Sequence, residues 1–501
     1  MPNKDRPIIR LKGRVTVVPD NVTKRQDRMI DANQDPLVEV GVVDALLPCR
    51  RFDISYKIAV LDSVSPSLEF LLRLIKTAPG IEEDSAAAFF GYTPTEMAYV
   101  INEAITPGYV QRKDGRLWLA LAGEQLFKEN EQEPLIYSVE SRRRSHGFDL
   151  LSVAPQPSRG LDSVEFMLPE LPIPSQVATG NVADKLSDQF SRFFHELSDR
   201  ADREQTQRRG LYSIDGIVPR DRFQTPVRIR AFVHASNPHL IEKIDLGSWR
   251  PEHEVADRSE IEQSASMLFE NTKTSLNALR AGEAYQILID LAPDFLKEFV
   301  VRDGLSVRRY WNEAVRRAGE PRKDRKTIAL IGPLSLEKNI ARLSAVLEYG
   351  LGEHLVKPRH VISVAPHIPY WGGTTLVRDL LNLMRKKMAT SEEDGSDLKA
   401  VCLAAGKPEK YVEKTYDRMG KSERPEFPAA LELLLVPKTM MAAIVHAPIG
   451  AATGYPVALG FASFEGSVIN RAEALIGDRL AGFDLPEDLF LELQGSLARQ
   501  Q

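Results

Sequence analysis

The sequence predicts a multidomain α/β protein, with a three-helix-plus-hairpin module near its N-terminus, a helical middle region and a C-terminal layered domain. Three observations predict it. Apolar residues recur at helical spacing over 67–78, and two further short helices and an Asp-Gly hairpin follow. From about residue 325, short apolar strands alternate with amphipathic helices, the pattern of an α/β layer. The length of 501 residues suits roughly two to four domains of ordinary size.

Composition sets the class. An apolar share of 43% and a charged share of 27% are those of a soluble globular protein, and a cytoplasmic location is expected. Two cysteines, Cys49 and Cys402, stand far apart without ligand partners nearby, which argues against a disulfide framework and a zinc site. No metal or other cofactor is expected. No apolar run approaches the length of a bilayer span, so no membrane partner is expected. The net charge of −5 leaves any nucleic-acid contact to local patches.

Residues 1–60 are read as a basic arm and leading strands, with eight Lys or Arg against three Asp in residues 1–28. Such an arm suits phosphate contact or a solvated tail equally. The module spans 61–130. Its first helix, SLEFLLRLIKTA, stops at Pro79-Gly80, and a second, EEDSAAAFF, closes at Gly91. Thr93-Pro94 opens the third, TEMAYVINEAI, with an N-cap and a first-turn proline. YVQR and RLWLAL then form a hairpin around Asp114-Gly115. Three helices followed by GYVQRKDGRLWLALAGEQLF resemble a winged helix-turn-helix domain. The resemblance implies DNA contact through the third helix and the wing, where Arg112, Lys113 and Arg116 cluster. The third helix offers Thr95, Glu96, Tyr99, Asn102 and Glu103, a poor set for phosphates, so docking onto a protein is the alternative.

Residues 131–180 are read as a linker region, since LPELPIPSQ holds three closely spaced prolines. Residues 181–320 are read as a mixed, mainly helical middle domain: an amphipathic helix over about 182–209, a strand pair at 211–234, and helices at 259–281 and 283–318. In this region Arg308, Arg309, Arg316 and Arg317 surround Tyr310 and Trp311. That mix suits backbone neutralisation with base stacking; a charged outer helix face is the alternative. No Rossmann fingerprint, Gly-x-x-x-x-Gly-Lys-Ser/Thr loop or His-Glu-x-x-His segment occurs.

Residues 321–501 form the layered domain. AAIVHAPIGAATGYPVALGFASF places His446 in one apolar strand, and Gly460 and Ser463 in the next. It resembles the phospholipase D-like superfamily, in which His-x-Lys-x-x-x-x-Asp precedes a Gly-Ser-x-Asn turn. VISVAPHIPYWGGTTLVRDLLNLM resembles the same superfamily. The resemblance covers about 325–485. It implies a histidine that attacks phosphorus, lysines that neutralise the phosphoryl oxygens and an aspartate that orients the imidazole. Here Pro448 stands at the lysine position, no aspartate follows, and no second His-x-Lys half occurs.

The resemblance therefore implies the scaffold with its reaction largely stripped, an enzyme class left uncertain and leaning to none. His446 and Ser463 are the candidate catalytic residues, and a hydrogen-bonded core histidine is the alternative for His446. Winged helices paired with phospholipase D-like domains resemble parts of phage-defence or restriction machinery. The function expected is a non-catalytic subunit that binds DNA, or docks onto protein subunits that handle DNA, in a bacterial multi-protein system. The alternatives are a phosphodiesterase or nuclease acting through His446 as a dimer, and an interaction scaffold without nucleic-acid contact.

Overall fold

The computed structural model describes residues 35–61, 65–127, 134, 137–174, 182–197, 209–246, 259–317, 319–353, 358–389 and 398–497. The basic arm expected at 1–28 lies outside them. The chain is mixed helix and sheet throughout.

Its longest elements are β1 (Leu37–Leu61) and, later in the chain, a strand over Arg209–His234. They pair antiparallel over almost their whole length. At about 3.3 Å per residue, β1 spans roughly 80 Å. Beyond the end of β1 comes the module: α1 (Pro66–Thr77), β2 (Ile81–Glu82), α2 (Glu83–Phe90), α3 (Pro94–Ile105), β3 (Val110–Lys113) and β4 (Arg116–Leu119). Ser65 caps α1 by accepting from the Leu68 N–H. Thr93 and Glu96 form a reciprocal capping box at α3. Asp114 and Gly115 both have positive φ, as a two-residue turn of the primed type requires. The small sheet has the order β2-β4-β3 and closes on its own core of Leu71, Leu72, Ile75, Ile101 and Leu117.

The chain then returns as β5 (Tyr137–Asp149), paired along β1 from Leu61↔Tyr137 to Cys49↔Asp149. The linker expected over 131–180 is corrected in part, because Tyr137–Asp149 within it is an edge strand of the sheet. Asp149, buried at its end, accepts from the N–H groups of Leu151 and Ala154 at 2.9 and 2.8 Å and reverses the chain. After α4 (Val182–Leu197), the expected strand pair at 211–234 is one strand, β6 (Arg209–His234), followed by β7 (Ile241–Asp245). The four-stranded order is β5-β1-β6-β7, so the middle region is less helical than its charge pattern implied. The half of this sheet nearer the module has a separate core, in which Phe52, Ile54, Tyr56 and Phe148 pack under Phe190 and Phe194 of α4.

The other half joins the body. Helices α5 (Ser259–Glu270), α6 (Ala281–Leu291) and α7 (Val307–Arg316) precede the alternating segment. That segment runs β8 (Thr327–Ile331), α8 (Glu337–Glu353), β9 (His360–Val364), α9 (Thr375–Met388), β10 (Lys399–Ala405), α10 (Lys410–Thr415), β11 (Arg418–Ser422), β12 (Leu431–Val436), β13 (Met440–Ala447), β14 (Val457–Ser463), α11 (Gly466–Gly477) and α12 (Glu487–Leu497). The seven strands are ordered β8-β14-β13-β12-β9-β10-β11. Strands β9, β10 and β11 are parallel and the rest antiparallel. Side chains of α8 and α9 fill one face of the sheet, while α5, α6, α7 and α11 and the base of β1 and β6 fill the other. Strand β11 follows closely on α10, which ends at Thr415.

Candidate functional site

From β9 the strand order runs outward to β10 and β11, then reverses to place β12 on the other side of β9. Ligands of open α/β sheets gather at such reversals, outside the carboxyl ends of the parallel strands. A pocket opens there. Ser363 of β9, Glu432 of β12, His446 of β13 and Tyr416 line its interior, and Tyr370, Trp371 and Tyr455 stand around them. Its water-accessible volume is about 60 Å³, room for several waters rather than an open channel. Tyr370 and Gly372 both have positive φ, so the loop that presents these aromatics holds a conformation costly for tyrosine.

His446 Nε2 lies 2.6 Å from Glu432 Oε2, with both side chains buried. The strand pleat explains the meeting: Glu432 pairs with Ile444, two residues from His446 on the same face. Nε2 donates to the carboxylate, which leaves Nδ1 as the ring nitrogen free to face another group. Glu432 thus supplies an orienting carboxylate from a neighbouring strand, where the resemblance found no aspartate downstream. Burial, then Cys402, push the Tyr416 hydroxyl well above its ordinary range; Ser363 opposes this and Glu432 adds to it. Tyr416 therefore keeps its proton. Ser363 Oγ, although beside Tyr416, meets strict bonding geometry with no group among the described residues.

A second carboxylate stands at the start of α9. Asp44 of β1 accepts from the Thr375 N–H at 2.7 Å and from the Thr374 and Thr375 hydroxyls at 3.0 and 3.1 Å. Thr374 Oγ1 caps Leu376 N. A helix N-terminus favours anions, and here an internal anion occupies it. Arg228 neutralises Asp44 through Nε at 2.9 Å. Among the described residues, no Lys or Arg lines the pocket.

The sequence-derived candidates fall in four places. His446 is in the pocket. Ser463 is not: it pairs with Met441 while His446 pairs with Ala458, about 17 Å apart along the strand. Its hydroxyl bonds Thr327 Oγ1 at 2.8 Å and accepts from Glu465 N. Glu473, buried on α11, accepts from Lys438 N at 2.7 Å. Pro448 lies just past the end of β13.

In the hairpin, Arg112 bonds Glu83 and Arg116 bonds Glu82, each at 2.8 Å, while Lys113 is exposed. Arg316 and Arg317 both face Glu313. Arg308 donates to the Ser236 carbonyl, and Arg309 lies over Phe299. Base stacking on Tyr310 and Trp311 is corrected: both are buried, donating to the carbonyls of Gly460 at 2.6 Å and Ala235 at 2.9 Å. The apolar face of α7 faces inward, so its aromatics belong to the core.

Sequence reasoning missed Glu432, Ser363, Tyr416 and Asp44. One signal was present for Glu432, a lone acid inside the apolar run LELLLV. Among the described residues, no cluster of three His, Cys, Asp or Glu side chains stands where it could share a metal ion. No helix among them is long and apolar enough to cross a membrane. No family model matches the chain, and neither a curated protein nor a solved structure matches it.

Proposed function

We propose that the chain is a non-catalytic docking subunit of a multi-protein assembly that handles DNA, engaging a protein partner through the module held at the end of the β1–β6 arm. One observation carries this reading: the module's basic tip is neutralised from within. Arg112 and Arg116 pair with Glu83 and Glu82, and α3 presents Glu96, Glu103 and an 80%-exposed Tyr99. DNA-binding winged helices need the opposite balance, since phosphate neutralisation dominates their affinity. Phe70, Phe89 and Leu121, also exposed on the module, suit protein contact.

Fluorescence anisotropy of the full chain with a short duplex tests this at low salt. The docking reading expects no binding. Binding that falls steeply with salt and is lost on reversing Arg112, Lys113 and Arg116 to Glu would transfer the role to DNA recognition.

The His446–Glu432 pair favours a second reading, phosphodiester hydrolysis through His446. The lining weighs against it, since none of its described residues is a Lys or Arg that would balance charge on phosphoryl oxygens. Hydrolysis of a generic phosphodiester by the parent chain, abolished by His446→Ala, would establish it.

A further inference from the structure

We propose that the pocket over Glu432 and His446 binds an uncharged planar nitrogen heterocycle of the nucleobase class, and that it rejects phosphate. The proposal stands apart from the docking role and rests on three features of the pocket.

The first is its shape and walls. Tyr370, Trp371, Tyr455 and Phe269 line it with aromatic surface, and its free volume is small. Flat π-surfaces suit a flat π-ligand. The second is its inner edge. Glu432 offers an acceptor, the Tyr416 hydroxyl offers a donor, and His446 Nδ1 and Ser363 Oγ can each act as either. Ser363 is 3% exposed and unpartnered. A buried hydroxyl left without a partner is unfavourable, and a ligand with adjacent N–H and C=O groups would satisfy it. Nucleobase edges carry such alternating donors and acceptors.

The third is charge. An anion would meet Glu432, with no Lys or Arg among the described residues of the lining. The first N–H groups of α9, which would otherwise receive a phosphate, already bond Asp44 and Thr374. A free base therefore fits where its phosphorylated form does not.

Calorimetric titration of the full chain with adenine, guanine, cytosine and uracil tests this, alongside the four 5′-monophosphates and inorganic phosphate. At least one free base should bind, and its monophosphate should bind no more tightly. Inorganic phosphate should not bind. Ser363→Ala removes a single oxygen and should weaken the base roughly tenfold, the expected effect of losing one buried hydrogen bond. Glu432→Gln should weaken it further, with circular dichroism confirming that each variant is folded. Failure of all four bases to bind overturns the proposal. So does tighter binding of a monophosphate or of phosphate itself, or base affinity unchanged in Ser363→Ala.

Discussion

Asp44 and Arg228 are directly opposite one another in the ladder between the two longest strands, and their side chains meet at 2.9 Å. Burial works against the Arg228 cation, yet the Asp44 hydrogen bonds and charge hold it above its ordinary range. Because Asp44 also caps α9, one carboxylate ties the arm to the body. Asp44→Ala leaves Arg228 half-buried without its main partner and takes the acceptor from the Thr374 and Thr375 hydroxyls. Urea denaturation should show a loss of about 3–5 kcal/mol, the range for breaking a buried pair. A loss below about 1 kcal/mol would mean that the pair contributes no more than a surface bridge.

His446 and Glu432 should behave as a coupled unit. Removing either alone strands the other in a nearly dry setting, whereas replacing both with Leu and Met keeps the volume and removes the unmet polarity. A double-mutant cycle should return a coupling of about 1–3 kcal/mol. Additive single-mutant losses would show that the 2.6 Å contact is energetically idle.

Gly460 admits no side chain. A Cβ there would lie 2.0 Å from the Ala443 carbonyl oxygen and 2.6 Å from Ile444 Cα. Both are backbone atoms of the adjacent strand and cannot swing aside. Gly460→Ala should cost about 1–3 kcal/mol through overpacking, seen as a lowered melting temperature. An unchanged melt would mean that β13 and β14 separate freely at this point.

Glu473 sets a pH dependence. Burial raises its pKa, while the Lys438 N–H opposes the shift. A raised folded-state pKa means that the native protein holds this proton more firmly than the unfolded chain does. Its contribution to stability is therefore greatest at acid pH and declines as pH rises through the window above the ordinary glutamate value. Glu473→Gln keeps an acceptor for Lys438 N and removes the buried charge. It should match or exceed the parent's stability at neutral pH, and the difference should shrink as pH falls below about 4. A variant advantage that grows on acidification would reverse the sign of this argument.

Much of the body was legible in the sequence, because its signals are local. The strands around LELLL, AAIVHA and VALGFAS are continuous apolar runs, and they appear as β12, β13 and β14. Pro66, Thr93 and Pro94 mark helix starts through their own backbone chemistry. The four-stranded sheet was not legible. Its pairings join residues such as Leu37 and His234, and nothing near either end names its partner. For the same reason His446 was visible while its partner was not. The phospholipase D-like pattern places an aspartate downstream of the histidine, whereas the carboxylate that bonds His446 comes from the strand before.

Leu61 and Tyr137 occupy one rung of the β1–β5 ladder. The chain therefore leaves the sheet and re-enters it at the same point, and everything between has the topology of an enlarged hairpin loop. Length in such a loop is cheap in closure entropy, and the inserted segment closes on a core of its own. Reach and identity are thus set separately. The ladder fixes how far from the body the module sits, and the module's own core fixes what surface it presents there.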